Sequence, residues 1–184
     1  MPTYVALLRA VNLAGHGKIA MADFRRLLEG LGYKNVQTYI QSGNAVFDAT
    51  AAAAKAGAAI AAGLERLMGA PVGVVIRTHD ELSRLIAGNP FAKEAAANGA
   101  LVHVGFLSGR AGPGAEAALR AIVEKYPARR DRYHLAGEHI YFHLPDGAAE
   151  TKFSGKSLDR AVGVAGTGRN WNTVLKLHEM SKRD

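Results

Sequence analysis

The sequence predicts an α+β fold of two ferredoxin-like (alpha-beta plait) halves, the second finished by C-terminal helices. Three observations carry that prediction. Strand-period and helix-period apolar runs follow one another as β-α-β-β-α-β through the first 78 residues, the split βαβ order of the plait. The same order begins again at residue 100, with no short sequence repeat to accompany it. Between the two, Asn89–Gly99 breaks the pattern with Pro90 and a run of alanines, as a linker with some helical content would. The expected organisation is therefore 1–78, a helical linker 79–99, and 100–184.

In order, Thr3–Leu8 is a strand with apolar residues on both faces, so both should be covered. Val11–Ala20 is a polar loop. Met21–Leu31 places Phe24, Leu27, Leu28 and Leu31 at helical spacing, and Gly32 is positioned to end that helix. Asn35–Gln41 alternates, with Val36, Thr38 and Ile40 on one face. Ser42-Gly43 reads as a tight turn into Ala45–Phe47. Ala51–Met68 is helical despite Gly57 and Gly63, and Val72–Arg77 is a strand. Thr78-His79-Asp80-Glu81 has capping-box spacing and opens a short helix. In the second half Ala100–Leu107 is a strand and Gly112–Gly114 leads into a helix ending near Tyr126. Arg132–Leu135 and His139–Leu144 form a hairpin across Ala136-Gly137. Ser154–Val162 is a short helix. No closing strand is readable after it. Instead Gly166–Gly168 precede a helix with Trp171, Val174, Leu175, Leu177 and Met180 on one side and Asn170 as its N-cap.

The totals narrow the function classes. There are no cysteines, which excludes disulfides and thiolate metal sites and suits a cytoplasmic location. Arg9 and Asn12 interrupt the apolar N-terminal run, so neither a signal peptide nor a membrane span is expected. Lysine plus arginine number 23 against 16 acids, a net charge of +7. That excess favours anionic partners, and the scatter of the charges equally suits a protein kept soluble by them.

The plait order also places polar residues. Its first two strands run in the same direction because a helix joins them. The loop after Leu8 (Arg9, Asn12, Lys18) and the turn after Ile40 (Gln41, Ser42, Asn44) must then share one sheet edge, a common place for binding. The start of the last helix, with Arg169, Asn170 and Asn172, concentrates unpaired N–H donors and partial positive charge. Together these nine residues are the expected ligand-binding set, bordering one basic pocket.

Leu7-Leu8-Arg9-Ala10-Val11-Asn12, Tyr39-Ile40-Gln41-Ser42-Gly43-Asn44 with Val46-Phe47, and Gly166-Thr167-Gly168-Arg169-Asn170-Trp171-Asn172-Thr173-Val174 with Lys176-Leu177 resemble, in that order, a bacterial domain-of-unknown-function family numbered 1697. The resemblance spans nearly the whole chain and implies a two-part alpha-beta plait with no established activity. Ala10 and Ala14 stand where that pattern has glycine, and Gly168 where it has alanine.

Other motifs fall away. Gly155-Lys156-Ser157 lacks the glycine a phosphate loop needs at position 150, which is Glu150. Gly163, Gly166 and Gly168 follow no predicted strand and make no dinucleotide fingerprint. Trp171 belongs to an apolar stripe and reads as core. His134 and His139 should face each other across the hairpin with only Glu138 beside them, too few ligands for a metal. No nucleophile elbow surrounds Ser42. No metal, cofactor or catalytic residue is therefore assigned.

The leading expectation is a module binding a small anionic ligand or nucleotide, ahead of RNA, because plaits that bind RNA expose aromatics on an open sheet face. An enzyme acting on a small phosphorylated or acidic substrate is the alternative, with His16 as the one base on offer. A third reading makes the Arg–Asn–Trp stretch a structural lock between the halves.

Overall fold

The computed structural model describes residues 1–12 and 17–183. Its contacts divide the chain into two compact units, Met1–Ala87 with Leu175–Asp184, and Gly88–Val174. Each holds one antiparallel four-stranded sheet, and seven α-helices are distributed along the described residues.

The first unit runs β1 (Thr3–Leu8), α1 (Met21–Gly30), β2 (Lys34–Tyr39), β3 (Asn44–Asp48), α2 (Ala53–Met68), β4 (Val74–Thr78) and α3 (His79–Ala87). Its sheet order is β2-β3-β1-β4. Both β1 and β2 lie antiparallel to β3, so they point the same way. Period 2 places Tyr4, Ala6 and Leu8 on one face, where they bury with Phe24 and Leu28 of α1 and Ala56, Ile60 and Leu64 of α2. Each large aliphatic or aromatic side chain buried there contributes about 1.5–3 kcal/mol. The two glycines of α2 have a packing reason. A Cβ on Gly63 would stand 2.6 Å from Leu27 Cδ1, and one on Gly57 would stand 3.1 Å from Ile76 Cγ1. The opposite face of β1 is also covered, since Val5 and Leu7 are fully buried. The capping box is realised: Thr78 Oγ1 accepts from Glu81 N, and Glu81 Oε2 accepts from Thr78 N at 2.7 Å.

The second unit runs α4 (Ala92–Ala97), a 3-10 turn (Gly99–Leu101), β5 (Val102–Leu107), α5 (Ala115–Lys125), β6 (Arg132–Ala136), β7 (His139–His143), α6 (Gly155–Val162) and β8 (Gly166–Asn170). It also takes in the start of α7 (Trp171–Ser181). The sheet order is β6-β7-β5-β8. Leu107, Ile140 and Phe142 bury against Ala115 and Leu119 of α5 and Val162 of α6.

Four expectations need correction. A closing strand exists: Gly166–Asn170 pairs antiparallel with β5, with Arg169 opposite Val104. It escapes a reading by apolar alternation because its inward residues are Thr167 and Arg169. At Gly166 a Cβ would stand 3.1 Å from both Leu107 Cδ2 and the Phe106 carbonyl oxygen, so glycine permits the close pairing. The second half is thus finished by a strand and one helix, not by helices alone. On that helix Leu175 is 42% exposed while Trp171, Val174, Leu177 and Ser181 are buried. Leu175 lies well round from the axis of that stripe at 100° per residue. In the hairpin His134 pairs with Tyr141 and His139 with Ala136. The turn is Gly137-Glu138, because its first residue takes φ +63°, where glycine is at ease and alanine is not. Finally, β2 stops at Tyr39, and Ile40 is exposed in the turn instead of continuing the strand's buried face.

Candidate functional site at one end of the first sheet

Where β1 ends, three chain segments are tied together. Leu8 N donates to the Gly43 carbonyl at 2.8 Å, and Arg9 N donates to the Gly73 carbonyl at 2.9 Å. Asn12 binds across the gap. Its Nδ2 donates to the carbonyls of Ile19 (2.8 Å) and Gln41 (2.7 Å), and its Oδ1 accepts from Ile19 N at 2.8 Å. One side chain therefore fixes the loop after β1 to the turn after β2, as the shared strand direction requires.

The turn has its own frame. Asn44 is fully buried and its Nδ2 donates to the Tyr39 carbonyl and to Ser42 Oγ, both at 2.9 Å. Gly43 takes φ +83°, and a Cβ there would stand 2.7 Å from Val11 Cγ2 and 2.8 Å from Leu8 Cβ. No other residue fits this position without displacing the β1 loop.

Backbone strain gathers at the same end. Ala10, Asn12 and Ile40 adopt φ of 51°, 56° and 47°. Asparagine tolerates that region, but alanine and above all a β-branched isoleucine do not, at about 1–2 kcal/mol each. A glycine at position 10 would relieve the first of these. Around this frame Arg9 and Ser42 are half-buried, and Lys18 and Gln41 are exposed. The predicted residues Arg9, Asn12, Lys18, Gln41, Ser42 and Asn44 all belong to the first unit. His16 and Ala14 lie outside the described residues.

Arg169, Asn170 and Asn172 belong to the second unit. Arg169 is 6% exposed, and its Nη1 donates to Thr167 Oγ1 at 2.7 Å and to the Gly168 carbonyl at 2.8 Å. Burial pulls its pKa down to about 10, so it remains cationic at neutral pH. Asn170 Oδ1 accepts from Thr173 N at 3.0 Å, the expected N-cap. Asn172 is exposed, with its amide against Gly99.

Sequence reasoning misses Arg77. It lies fourth in β4 as Arg169 lies fourth in β8, it is 8% exposed, and its Nη1 donates to the carbonyl of the residue before it, Ile76, at 2.8 Å. The signal was present: in both halves an arginine directly precedes a capping residue and a helix. A groove of about 680 Å³ at the other end of β2 is lined by Arg25, Glu29, Lys34, Asn35 and Arg183 among others. Two of its cations are engaged, Arg25 with Glu29 and Arg183 with Asp48.

Fold and site together define a class, a protein of two antiparallel four-stranded α+β units with a polar, strained loop cluster at one end of the first sheet. Within that class the chain belongs to the family described as "Protein of unknown function (DUF1697)", whose model matches residues 1–141. The matched span includes the Arg9 and Gln41 motifs, and the Arg169 motif lies beyond it. The chain is similar in structure to the conserved bacterial protein SP0830 from Streptococcus pneumoniae, with a TM-score of 0.74, 20% identity, and coverage of 100% of this chain and 99% of that one. That likeness concerns the fold. No curated protein matches in sequence. Among the described residues no helix is long and apolar enough to cross a membrane.

Proposed function

We propose that the first half is a binding module for a small phosphate-bearing ligand, held by Arg9, Lys18, Gln41 and Ser42 on a frame built by Asn12 and Asn44. The carrying observation is the meeting of Ala10, Asn12 and Ile40, all left-handed, at the sheet end where Asn12 Nδ2 reaches the Gln41 carbonyl. Strain of this kind persists only where surrounding structure enforces it, and it collects at ligand sites. The two cations supply the charge preference and the polar turn supplies directional donors. Each half is taken as a ferredoxin-like plait, supported by its β-α-β-β-α-β order and by the matching sheet orders. Burial of Val5 and Leu7 favours a small ligand over stacked RNA bases.

The test is titration of the labelled full chain with inorganic phosphate, AMP and a single-stranded RNA across a salt series. Expected are shifts confined to residues 8–12, 17–19 and 40–44, weakened about tenfold or more by Arg9→Gln. No binding of any probe at low salt removes the reading.

For the second half a structural reading of Arg169 is favoured by one observation: its Nη1 donates to Thr167 and Gly168 of its own strand. An enzymatic role would call on His16 as base, whereas binding does not.

A further inference from the structure

We infer that His79 and His178 form a proton-sensitive clasp that holds the end of α7 on α3 and opens on mild acidification. Both residues belong to the first unit. Their rings stack with centroids 4.3 Å apart and planes 15° from parallel. Two serines close the arrangement reciprocally. His79 Nδ1 lies 3.0 Å from Ser181 Oγ on α7, and His178 Nε2 lies 2.8 Å from Ser83 Oγ on α3.

The serines decide the tautomers. Ser83 Oγ donates to the His79 carbonyl at 3.0 Å, and Ser181 Oγ donates to the His178 carbonyl at 2.9 Å. A hydroxyl has one proton, so each serine is left as acceptor towards the opposing ring. His79 must then carry its proton on Nδ1 and His178 on Nε2, and each ring makes its serine hydrogen bond in the neutral form. Protonation of His178 places positive charge on a ring that lies face to face with His79, whose electrostatic influence opposes that charge.

The surroundings do not cancel this. On α3, Glu81 is taken up by Thr78, and Asp80 and Arg84 are exposed. On α7, Glu179 pairs with Lys176, and Lys182 adds positive charge beside His178. α3 packs on β4, whose one charged residue is the cation Arg77, and on β1, which has none. Arg183 holds Asp48 of β3 at 3.2 Å. Burial first, then His79 and Lys182, lower the His178 pKa below its ordinary value. The unfolded chain therefore binds the proton more readily. The clasp's contribution is complete above about pH 6.5 and is lost as pH falls through the folded value. Asp48 does not titrate in that window. Burial raises its pKa, but hydrogen bonds from Asn35, Thr3 and Arg183 outweigh burial and hold it below the usual carboxylate value. The Arg183 tether stays closed while the clasp opens.

Hydrogen exchange of the full chain at pH 7 and pH 5, corrected for intrinsic rates, tests this. Protection of amides 178–182 should fall about tenfold between the two, while amides of α2 hold. His178→Phe keeps a stacked ring without the proton and should abolish the difference. Equal protection at both pH values, or the same fall in the variant, overturns the clasp. Should that variant not fold, His79→Phe is read by the imidazole titration of His178. Its midpoint should rise once the facing His79 ring is gone, and an unchanged midpoint overturns the proposal.

Discussion

The two units share an element order and a sheet order, and they differ in where the backbone is forced. All four non-glycine residues with positive φ among the described residues, Ala10, Asn12, Asn35 and Ile40, lie in the first unit. In the second unit that conformation is taken by glycines alone, at 137, 147, 155 and 163. The hairpins show why. β6 and β7 turn over Gly137-Glu138, a relaxed two-residue loop, whereas β2 and β3 turn over residues 40–43 with a left-handed isoleucine, framed by the buried Asn44 that opens β3. Equivalent places in the two sheets thus have different burdens, one merely connecting strands and the other shaped against backbone preference. That difference is why the proposed ligand site is placed in the first unit.

The closing strands make the opposite point. β4 (Val-Val-Ile-Arg-Thr) and β8 (Gly-Thr-Gly-Arg-Asn) share almost no apolar pattern. Both nevertheless keep a buried arginine fourth and a capping residue fifth.

The comparison breaks hardest at Gly43. Gly43→Ala should cost about 3 kcal/mol, from left-handed strain and from the clash with Leu8 and Val11, read as a fall in denaturation midpoint. A change under about 1 kcal/mol would mean the β1 loop yields freely. Next come the buried arginines. Arg77→Ala and Arg169→Ala should each lose about 2 kcal/mol by the same measurement, through lost packing and unpaired hydrogen-bond acceptors. If one is costly and the other neutral, the correspondence between β4 and β8 is only positional. The caps sharpen it further: Thr78→Ala and Asn170→Ala should each cost about 1 kcal/mol, with exchange quickened in the first turns of α3 and α7 respectively. Smallest is a pair of opposite design. Ala10→Gly should stabilise by about 0.5–1 kcal/mol because it relieves a positive φ. Gly168→Ala meets nothing within 4 Å and should stay within about 0.5 kcal/mol of the parent in thermal melts.

Much of the site's frame is legible in the residues themselves. Parallel direction of β1 and β2 comes from an intervening helix, so Asn12 and Gln41 have to be neighbours, and Asn170 has to cap the last helix. Arg77 escapes such reasoning because an arginine at a strand end looks like an exposed one until its burial is known. Ile40 reads by alternation as the last buried residue of its strand, since alternation cannot register a switch to left-handed backbone.

By itself the sequence determined the element order of the first half, the two-part arrangement, the capping box at Thr78 and the convergence of the two polar loops. Each is local or topological, set by side-chain period, by cap chemistry or by strand direction. Tertiary structure alone decided that Gly166–Asn170 is a strand, that the hairpin turns at Gly137, and that Leu175 faces water. It also set His79 against His178. Such outcomes depend on which free edge or surface a segment meets, and a strand without apolar alternation is defined by the backbone partner that β5 offers it.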